Sequence, residues 1–283
     1  VPTQYLYGRN GRVKTLLESS ELLERESYRV PGTVVFIQCV GSREPEHPYC
    51  SRICCAGAIK NAIRMKERNP QARIFILYRD VRSYGFREEH YARAREMGIA
   101  FLQYDPEGAP VVREAGNGKP GLVVSVRDKI LDAQLEIPAD LLVLSARIDP
   151  NRENARLAQL YKVPLNSDGF FLEAHAKLRP VEFATDGVYM AGFSHYPKDV
   201  DESVGQALAA ASRAATVLSR THLDVGAQVS RVDQSRCISC MTCVHACPYG
   251  APFVNKDHKA EIAGAKCMGC GICAAECPAR AIQ

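Results

Sequence analysis

Short apolar runs alternate along this chain with stretches whose apolar residues recur every three or four positions. "TVVFIQC" (33–39) and "ARIFILYRD" (72–80) are continuous aliphatic or β-branched runs, and "IAFLQY" (99–104) is a third. That is the pattern of strands buried on both faces. Between them, "CCAGAIKNAIRMKERN" (54–69) has helical spacing through Ile53, Ala56, Ala62 or Ile63, and Met65, and "REEHYARAREMG" (87–98) reads as a second helix. "LVVSVRD" (122–128) and "AQLEIPA" (133–139) read as a hairpin, and "LLVLSA" (141–146) as a closing strand. This alternation predicts a parallel sheet with helices on its faces. Upstream, "YLYGRNGRVKTL" (5–16) predicts strand, Asn10-Gly11 turn, strand, and "LLESSELLERE" (16–26) a short helix. Downstream, "GVYMAG" (187–192) predicts a strand that leads through a loop into a helix from about Ser203 to Leu218, whose alanines predict close packing on a flat partner.

Composition narrows the class. The chain has 283 residues, enough for about two domains, with 46% hydrophobic and 24% charged residues. A net charge of +4 without a Lys/Arg run gives no nucleic-acid footprint. No apolar stretch reaches the roughly 18 residues of a membrane span. The start, "VPTQYLYG", has no signal-peptide pattern and no initiator methionine, so the chain reads as a fragment or one piece of a split protein.

The twelve cysteines fall into three groups of four. "CISCMTCVHACP" (Cys237, Cys240, Cys243, Cys247) and "CMGCGICAAECP" (Cys267, Cys270, Cys273, Cys277) each read C-x2-C-x2-C-x3-C-P, repeated at an offset of 30. This is the bacterial two-cluster ferredoxin spacing, in which the fourth cysteine of each run ligates the other cluster. It predicts one [4Fe–4S] cluster on Cys237, Cys240, Cys243 and Cys277, and another on Cys267, Cys270, Cys273 and Cys247. Small residues between ligands (Ser239, Gly269, Gly271) admit backbone amides to the sulfurs, and Pro248 and Pro278 turn the chain away.

The remaining group, "CVGSREPEHPYCSRICC" (Cys39, Cys50, Cys54, Cys55), has no C-x-x-C pair. A disulfide pair, a zinc site and an iron–sulfur site are all open on spacing. Its position favours the third: it fills the strand-to-helix turn that holds a pyrophosphate in a dinucleotide-binding fold, and a thiolate-ligated cluster is likewise an anion suited to a helix N-terminus. Zinc is the better of the two rivals. A G-x-G-x-x-G match at Gly116–Gly121 neither follows a clear strand nor opens a helix and reads as a hairpin loop.

Several stretches, "QCVGSR…PYCSRICC", "YRDVRSYG…EEHYARAR", "DGFFLEAHAKLRPVE" and "PKDVDESVGQA", followed by the double cysteine module, resemble the heterodisulfide reductase A-subunit (HdrA) family over nearly the whole chain. The resemblance implies an α/β, thioredoxin-reductase-like two-dinucleotide-binding flavoprotein core, present in part, plus an α+β two-[4Fe–4S] ferredoxin domain. It implies the boundaries 1–32 (hairpin and helix of the flavin domain), 33–147 (inserted α/β unit with a cluster on Cys39, Cys50, Cys54 and Cys55), 148–222 (rest of the FAD-binding domain) and 223–283 (ferredoxin domain). It implies three [4Fe–4S] clusters and FAD, with Lys60 near flavin N5, and Gly192, Lys198, Asp199 and Gln206 along the flavin. From spacing alone Lys60 is a solvated helix lysine. The implied activity is electron-bifurcating oxidoreduction in a cytoplasmic complex with HdrB/HdrC-like, MvhD-like, hydrogenase or dehydrogenase subunits and ferredoxin. The family's phosphate-binding glycine strand does not occur in this sequence, so the ADP half of FAD lies on another segment or chain, or the flavin is lost. The alternative class is a pyridine-nucleotide oxidoreductase with a fused ferredoxin domain.

Overall fold

The computed structural model describes residues 4–116, 121–130, 132–222 and 228–283. The chain divides into two compact units, Val1–Ala214 and Ala215–Gln283.

In the first unit, β1 (Val13–Thr15), α1 (Leu16–Glu24), β2 (Thr33–Val40), α2 (Cys54–Arg68), β3 (Arg73–Tyr78), α3 (Glu88–Glu96), β4 (Ala100–Gln103) and β8 (Leu141–Ala146) build a five-stranded parallel sheet in the order β1-β8-β2-β3-β4. Thr15 starts α1 through a reciprocal cap: its hydroxyl accepts from the Glu18 amide, and the Glu18 carboxylate accepts from the Thr15 amide at 2.7 Å. Helices cover one face, where Leu23, Ala58, Ile59, Ala62, Ile63, Met65 and Ala94 pack on Val34, Phe36, Ile74, Ile76, Leu141 and Val143.

The other face is not covered by helices, contrary to the sequence expectation. Between β4 and β8 lies an antiparallel sheet of β5 (Val111–Glu114), β6 (Leu122–Asp128) and β7 (Ala133–Ala139). Its apolar residues alternate with period two, so Leu122, Val124, Val126 and Ile137 share one side and pack beneath Val35, Ile37, Leu77, Leu142 and Leu144. The loop at Gly116–Gly121 joins β5 to β6; its residues 117–120 lie outside the described residues.

Two other local expectations are corrected. Residues 5–16 form no hairpin: consecutive turns, with Tyr5 and Leu6 at φ 56° and 64°, lead into β1, whose partner is β8 rather than its own neighbour. The Asn10 side chain instead closes a local turn on the Arg12 amide at 3.0 Å. The segment 1–32 thus lends β1 and α1 to the parallel sheet. "GVYMAG" forms no strand; its backbone makes one isolated bridge, Glu182 to Tyr189, in a region of turns around Val163, Phe183 and Met190 that also holds α4 (Asn154–Tyr161). After it, α5 (Val200–Leu218) begins three residues earlier than expected, and none of its residues is buried. Among the described residues, nothing packs closely enough on its alanines to bury them.

The second unit contains α6 (Thr242–Ala246), a two-stranded antiparallel pair β9 (Pro252–Val254) and β10 (Ala260–Ile262), and α7 (Ile272–Ala275). Its last residue, Gln283, exchanges backbone hydrogen bonds with Arg231 at 2.7 and 3.0 Å. Among the described residues, no helix is long and apolar enough to cross a membrane.

Candidate functional site: three cysteine groups

The second unit gathers eight cysteines around two hollows. One is lined by Cys237, Cys240, Cys243 and Cys277, with Ile238, Val254 and Ile282 closing it. The other is lined by Cys247, Cys267, Cys270 and Cys273, with Tyr249, Ile262 and Ile272. The fourth cysteine of each run therefore faces the other run's first three. Local backbone explains how. The Ala260 amide donates to Cys237 Sγ at 3.4 Å, and the Ser230 amide, thirty residues earlier, donates to Cys267 Sγ at 3.5 Å. Between the ligands the backbone turns left-handed at equivalent positions of both repeats: Ser239 (φ 61°) and Met241 (58°) in the first, Gly269 (63°) and Gly271 (77°) in the second. Hydrogen bonds from Thr242 lower the pKa of Cys240, and backbone amides of Gly269 and Ser230 lower that of Cys267. Thiolate is the ligating form, so these donors prepare ligands. An apolar wall with amide donors aimed at sulfur fits a cluster in each hollow.

The third group sits at the carboxyl ends of the parallel strands, where open α/β sheets bind ligands. Cys39 lies at an irregularity in β2, with φ 60°, and is buried. Cys54 and Cys55 open α2 and are buried; Cys50 is half-buried. The loop carrying Cys50 is held from below. Tyr49 donates to the Ile148 carbonyl at 2.9 Å and meets Phe170 edge-on, with the two centroids 5.6 Å apart. Ser51 accepts from the Ile148 amide at 2.9 Å, and Arg52 ion-pairs with Glu202 at 2.8 Å.

The four thiols feel one another. Burial pushes Cys39 up, repulsion from Cys55 and Cys50 adds to this, and the Arg43 guanidinium opposes it. Cys54 and Cys55 share a hydrogen bond that drives them apart: Cys54 rises well above the usual thiol range, while Cys55 falls to about 7. The Arg52 amide donates to Cys50 Sγ at 3.3 Å, and the Arg43 guanidinium, which lowers the pKa of Cys39, pairs with Asp80 at 2.7 Å.

A second observation tests which group fits. Among the described residues, five buried side-chain polar atoms have no hydrogen-bond partner: Gln38 Nε2 and Oε1, Arg43 Nη1, Arg79 Nε and Ser145 Oγ. All lie at or within a few residues of the carboxyl ends of β2, β3 and β8, the end of the sheet at which Cys39 lies and α2 begins. Each orphan costs about 1–3 kcal/mol. Four of the five can donate. A zinc ion offers these donors nothing beyond the thiolates, whereas a cluster brings inorganic sulfides that accept. The residues fit an iron–sulfur cluster better than zinc.

The residues assigned along a flavin are distributed unequally. Gly192 (φ 69°), Lys198 and Gln206 form one network. The Gly192 amide donates to Gln206 Oε1 at 2.9 Å, and buried Lys198 donates to the Gly192 carbonyl at 3.0 Å. Lys198 Nζ and Gln206 Nε2 also approach His195 Nδ1, at 3.2 and 2.8 Å. Both are donors only, so Nδ1 accepts and His195 Nε2–H donates to Glu173 at 2.9 Å. Burial lowers the pKa of Lys198, and the nearby Arg52 lowers it further. Asp199 pairs with Arg87 at 3.3 Å, and together with Ile53, Phe193, Lys198, Val200 and Val204 it lines an open, largely apolar hollow. Lys60 is not among these residues. It is exposed on α2, close enough to Glu24 of α1 to lower that carboxylate's pKa, although Arg64 does so more strongly.

Sequence reasoning missed His195, Glu173, Arg52, Gln38 and Ser145. His195 lies three residues before Lys198 and could have been weighed with it; Gln38 and Ser145 carried no signal outside the strands that contain them.

Comparison with known proteins places these features. A family model described as a 4Fe-4S dicluster domain matches residues 230–278. The iron-sulfur A-subunit 2 of the CoB–CoM heterodisulfide reductase of Methanopyrus kandleri is 42% identical over 234 residues, which cover 81% of this chain and 35% of the relative. The A-subunit of the H(2):CoB-CoM heterodisulfide,ferredoxin reductase of Methanothermobacter thermautotrophicus is 36% identical over 272 residues, 90% of this chain and 40% of the relative. The chain thus spans 35% and 40% of the length of these two curated relatives. Among solved structures, a thioredoxin reductase of T. acidophilum aligns with a TM-score of 0.48 and 16% identity, covering 78% of this chain and 62% of that one.

Proposed function

The chain belongs to the heterodisulfide reductase A-subunit family, and from that premise we propose that it carries single electrons through three [4Fe–4S] clusters between a flavin and partner subunits of an oxidoreductase. The observation that carries this reading is that the eight cysteines of the second unit line two hollows, four to each, while Cys39, Cys50, Cys54 and Cys55 lie near enough to one another to shift each other's titration. Clusters supply reversible one-electron transfer, and FAD, when bound, supplies exchange between one- and two-electron steps. The chain's own residues set the conditions for that transfer. Cys237, Cys240, Cys243 and Cys277 hold one cluster, and Cys247, Cys267, Cys270 and Cys273 another. Cys39, Cys50, Cys54 and Cys55 hold the third. Ala260 and Ser230 amides neutralise thiolate charge from dry positions. The Arg43 guanidinium does the same at the third site.

The hollow of Ile53, Phe193, Val200 and Val204, with Asp199 among its lining, would hold part of FAD. Lys198 and Gln206 hold the Gly192 turn in shape through His195, and Gly192 presents its backbone to the flavin. Lys60, exposed on α2, would be available to a flavin edge. The remainder of a family member supplies the rest of the FAD site. The wider role is electron bifurcation in a cytoplasmic complex with further heterodisulfide reductase subunits, hydrogenase or dehydrogenase subunits and ferredoxin.

Anaerobic reconstitution followed by iron and sulfide analysis tests the core of the proposal. The expected plateau is about twelve irons per chain, four for each cysteine group. Replacing Cys54 and Cys55 together by Ser removes about a third of that iron and leaves the signals of the other two clusters. A plateau near eight irons with zinc at Cys39–Cys55 would refute the third site.

A further inference from the structure

We infer that Gln38 and Ser145 donate hydrogen bonds to the group held by Cys39, Cys50, Cys54 and Cys55, and thereby set its reduction potential. The inference rests on the reading of that quartet as a cluster site. Strand alternation places both side chains. In β2, Val34 and Phe36 face the helices, and Val35 and Ile37 face the antiparallel sheet; Gln38 is next on the helix side and opens the irregularity between Ile37 and Val40, after which Val40 packs with the antiparallel sheet. In β8, Leu141 and Val143 face the helices, and Leu142 and Leu144 face away, so Ser145 also faces the helices. The two strands are neighbours, with Ile37 paired to Leu144 and Val40 to Ala146 across a shift of register, so Gln38 and Ser145 both fall between these pairs at the sheet's carboxyl end. The helix over this face is α2, and its first residues are Cys54 and Cys55. Gln38 also directly precedes Cys39.

Both side chains are 1% exposed, so bulk water does not serve them. Neither has a protein partner for its donor. This is not a general laxity of the fold. Asn61, buried on the same face, gives its amide nitrogen to Ser19 at 2.9 Å and Ser20 at 2.8 Å, and Asn154 gives its own to the Gly169 carbonyl at 3.0 Å. Among the described residues, the buried amides of Asn61 and Asn154 are satisfied and that of Gln38 is not. An amide N–H and a hydroxyl donate, and thiolate and inorganic sulfide accept. The reduced cluster carries one more negative charge than the oxidised one, so such donors favour reduction and raise the potential.

The experiment uses the full chain, reconstituted anaerobically, with Gln38→Met, which keeps the volume and removes the donor, Ser145→Ala, and the double variant. Iron content is measured first, then the potential of each cluster by a spectroscopically monitored redox titration. The expected result is unchanged iron, a lower potential for the Cys39–Cys55 cluster alone, and unmoved potentials for the two clusters of the second unit. In the double variant the reduced-to-oxidised ratio at fixed potential falls about tenfold, which is about 59 mV for one electron. In the wild-type chain, isotopically labelled glutamine nitrogen gives a magnetic coupling to the reduced cluster that Gln38→Met abolishes. Unchanged potentials with all three clusters present, or no glutamine coupling in the wild type, would overturn the hydrogen bonds alone. A wild-type chain with no cluster on the quartet would overturn both this inference and the functional reading beneath it.

Discussion

A Cβ added at Gly269 would stand 2.6 Å from the Gln228 carbonyl oxygen, on a backbone with φ 63°. Its counterpart thirty residues earlier, Ser239, has φ 61° and does carry a side chain, so the dihedral alone does not forbid one. The carbonyl does. Gly271, at φ 77°, has nothing within 4 Å of such an atom. Gly271→Ala is therefore expected to cost only the left-handed backbone penalty, about 1–2 kcal/mol. Gly269→Ala adds an overpacking cost of about 1–3 kcal/mol. Denaturation midpoints of the two variants separate these effects; equal midpoints would mean that the 228 carbonyl gives way freely. Single residues also show the limits of motif reading. Lys198 and Gln206 were expected along a flavin, yet their polar atoms are engaged with Gly192 and His195, so their first task is to hold a turn.

At the scale of elements, Glu182 joins two parts of the first unit that are far apart in sequence. It is buried, its carboxylate accepts from Arg213 of α5 and from Arg179, and its backbone bridges to Tyr189. The Arg213 hydrogen bond, then that of Arg179, holds its pKa below the usual carboxylate value. A lowered acid pKa stabilises the folded state above the unfolded value of about 4.3, and that contribution disappears as pH falls through the lower, folded value. Denaturant unfolding followed from neutral pH to about pH 3 is expected to show an acid-side loss that Glu182→Gln flattens. Identical pH profiles for both proteins would show that the contact adds nothing. This contact matters to α5 because the helix has no buried residue of its own. Its apolar side chains, among them Val200 and Leu208, are 80% and 67% exposed, so what seats the helix is polar: Glu182 on Arg213, and Arg52 on Glu202.

For the molecule as a whole, the turn between β2 and α2 settles which ligands the parallel sheet can take. A nucleotide phosphate needs a short glycine turn and free amides at a helix N-terminus. Here residues 41–53 form a long loop, and buried Cys54 and Cys55 occupy the helix start. The reconstituted chain is expected to show no saturable NADH binding by titration calorimetry; binding that is lost when the Cys50–Cys55 loop is altered would contradict this. Much of the architecture was legible in advance because it is local. Continuous apolar runs marked β2, β3, β4 and β8, helical spacing marked α2 and α3, and two repeats of one cysteine spacing marked the second unit. Those signals are set by burial and by ligand geometry within a few residues. What was not legible depends on distant partners. β1 pairs with β8, 129 positions onward at Val13 and Leu142, so the Asn10-Gly11 signal had no second strand to close on. "GVYMAG" has strand-forming residues but no sheet edge to join, and it makes one bridge only. The antiparallel sheet under the parallel one follows from which element reaches that face, which alternation within β6 and β7 does not specify. The same holds at the cysteine site. The sequence by itself determined that four thiols would gather at a strand-to-helix turn. Only the tertiary structure decided that Gln38 and Ser145, from strands adjacent in space but about a hundred residues apart in the chain, would be buried without partners at the same end of the sheet.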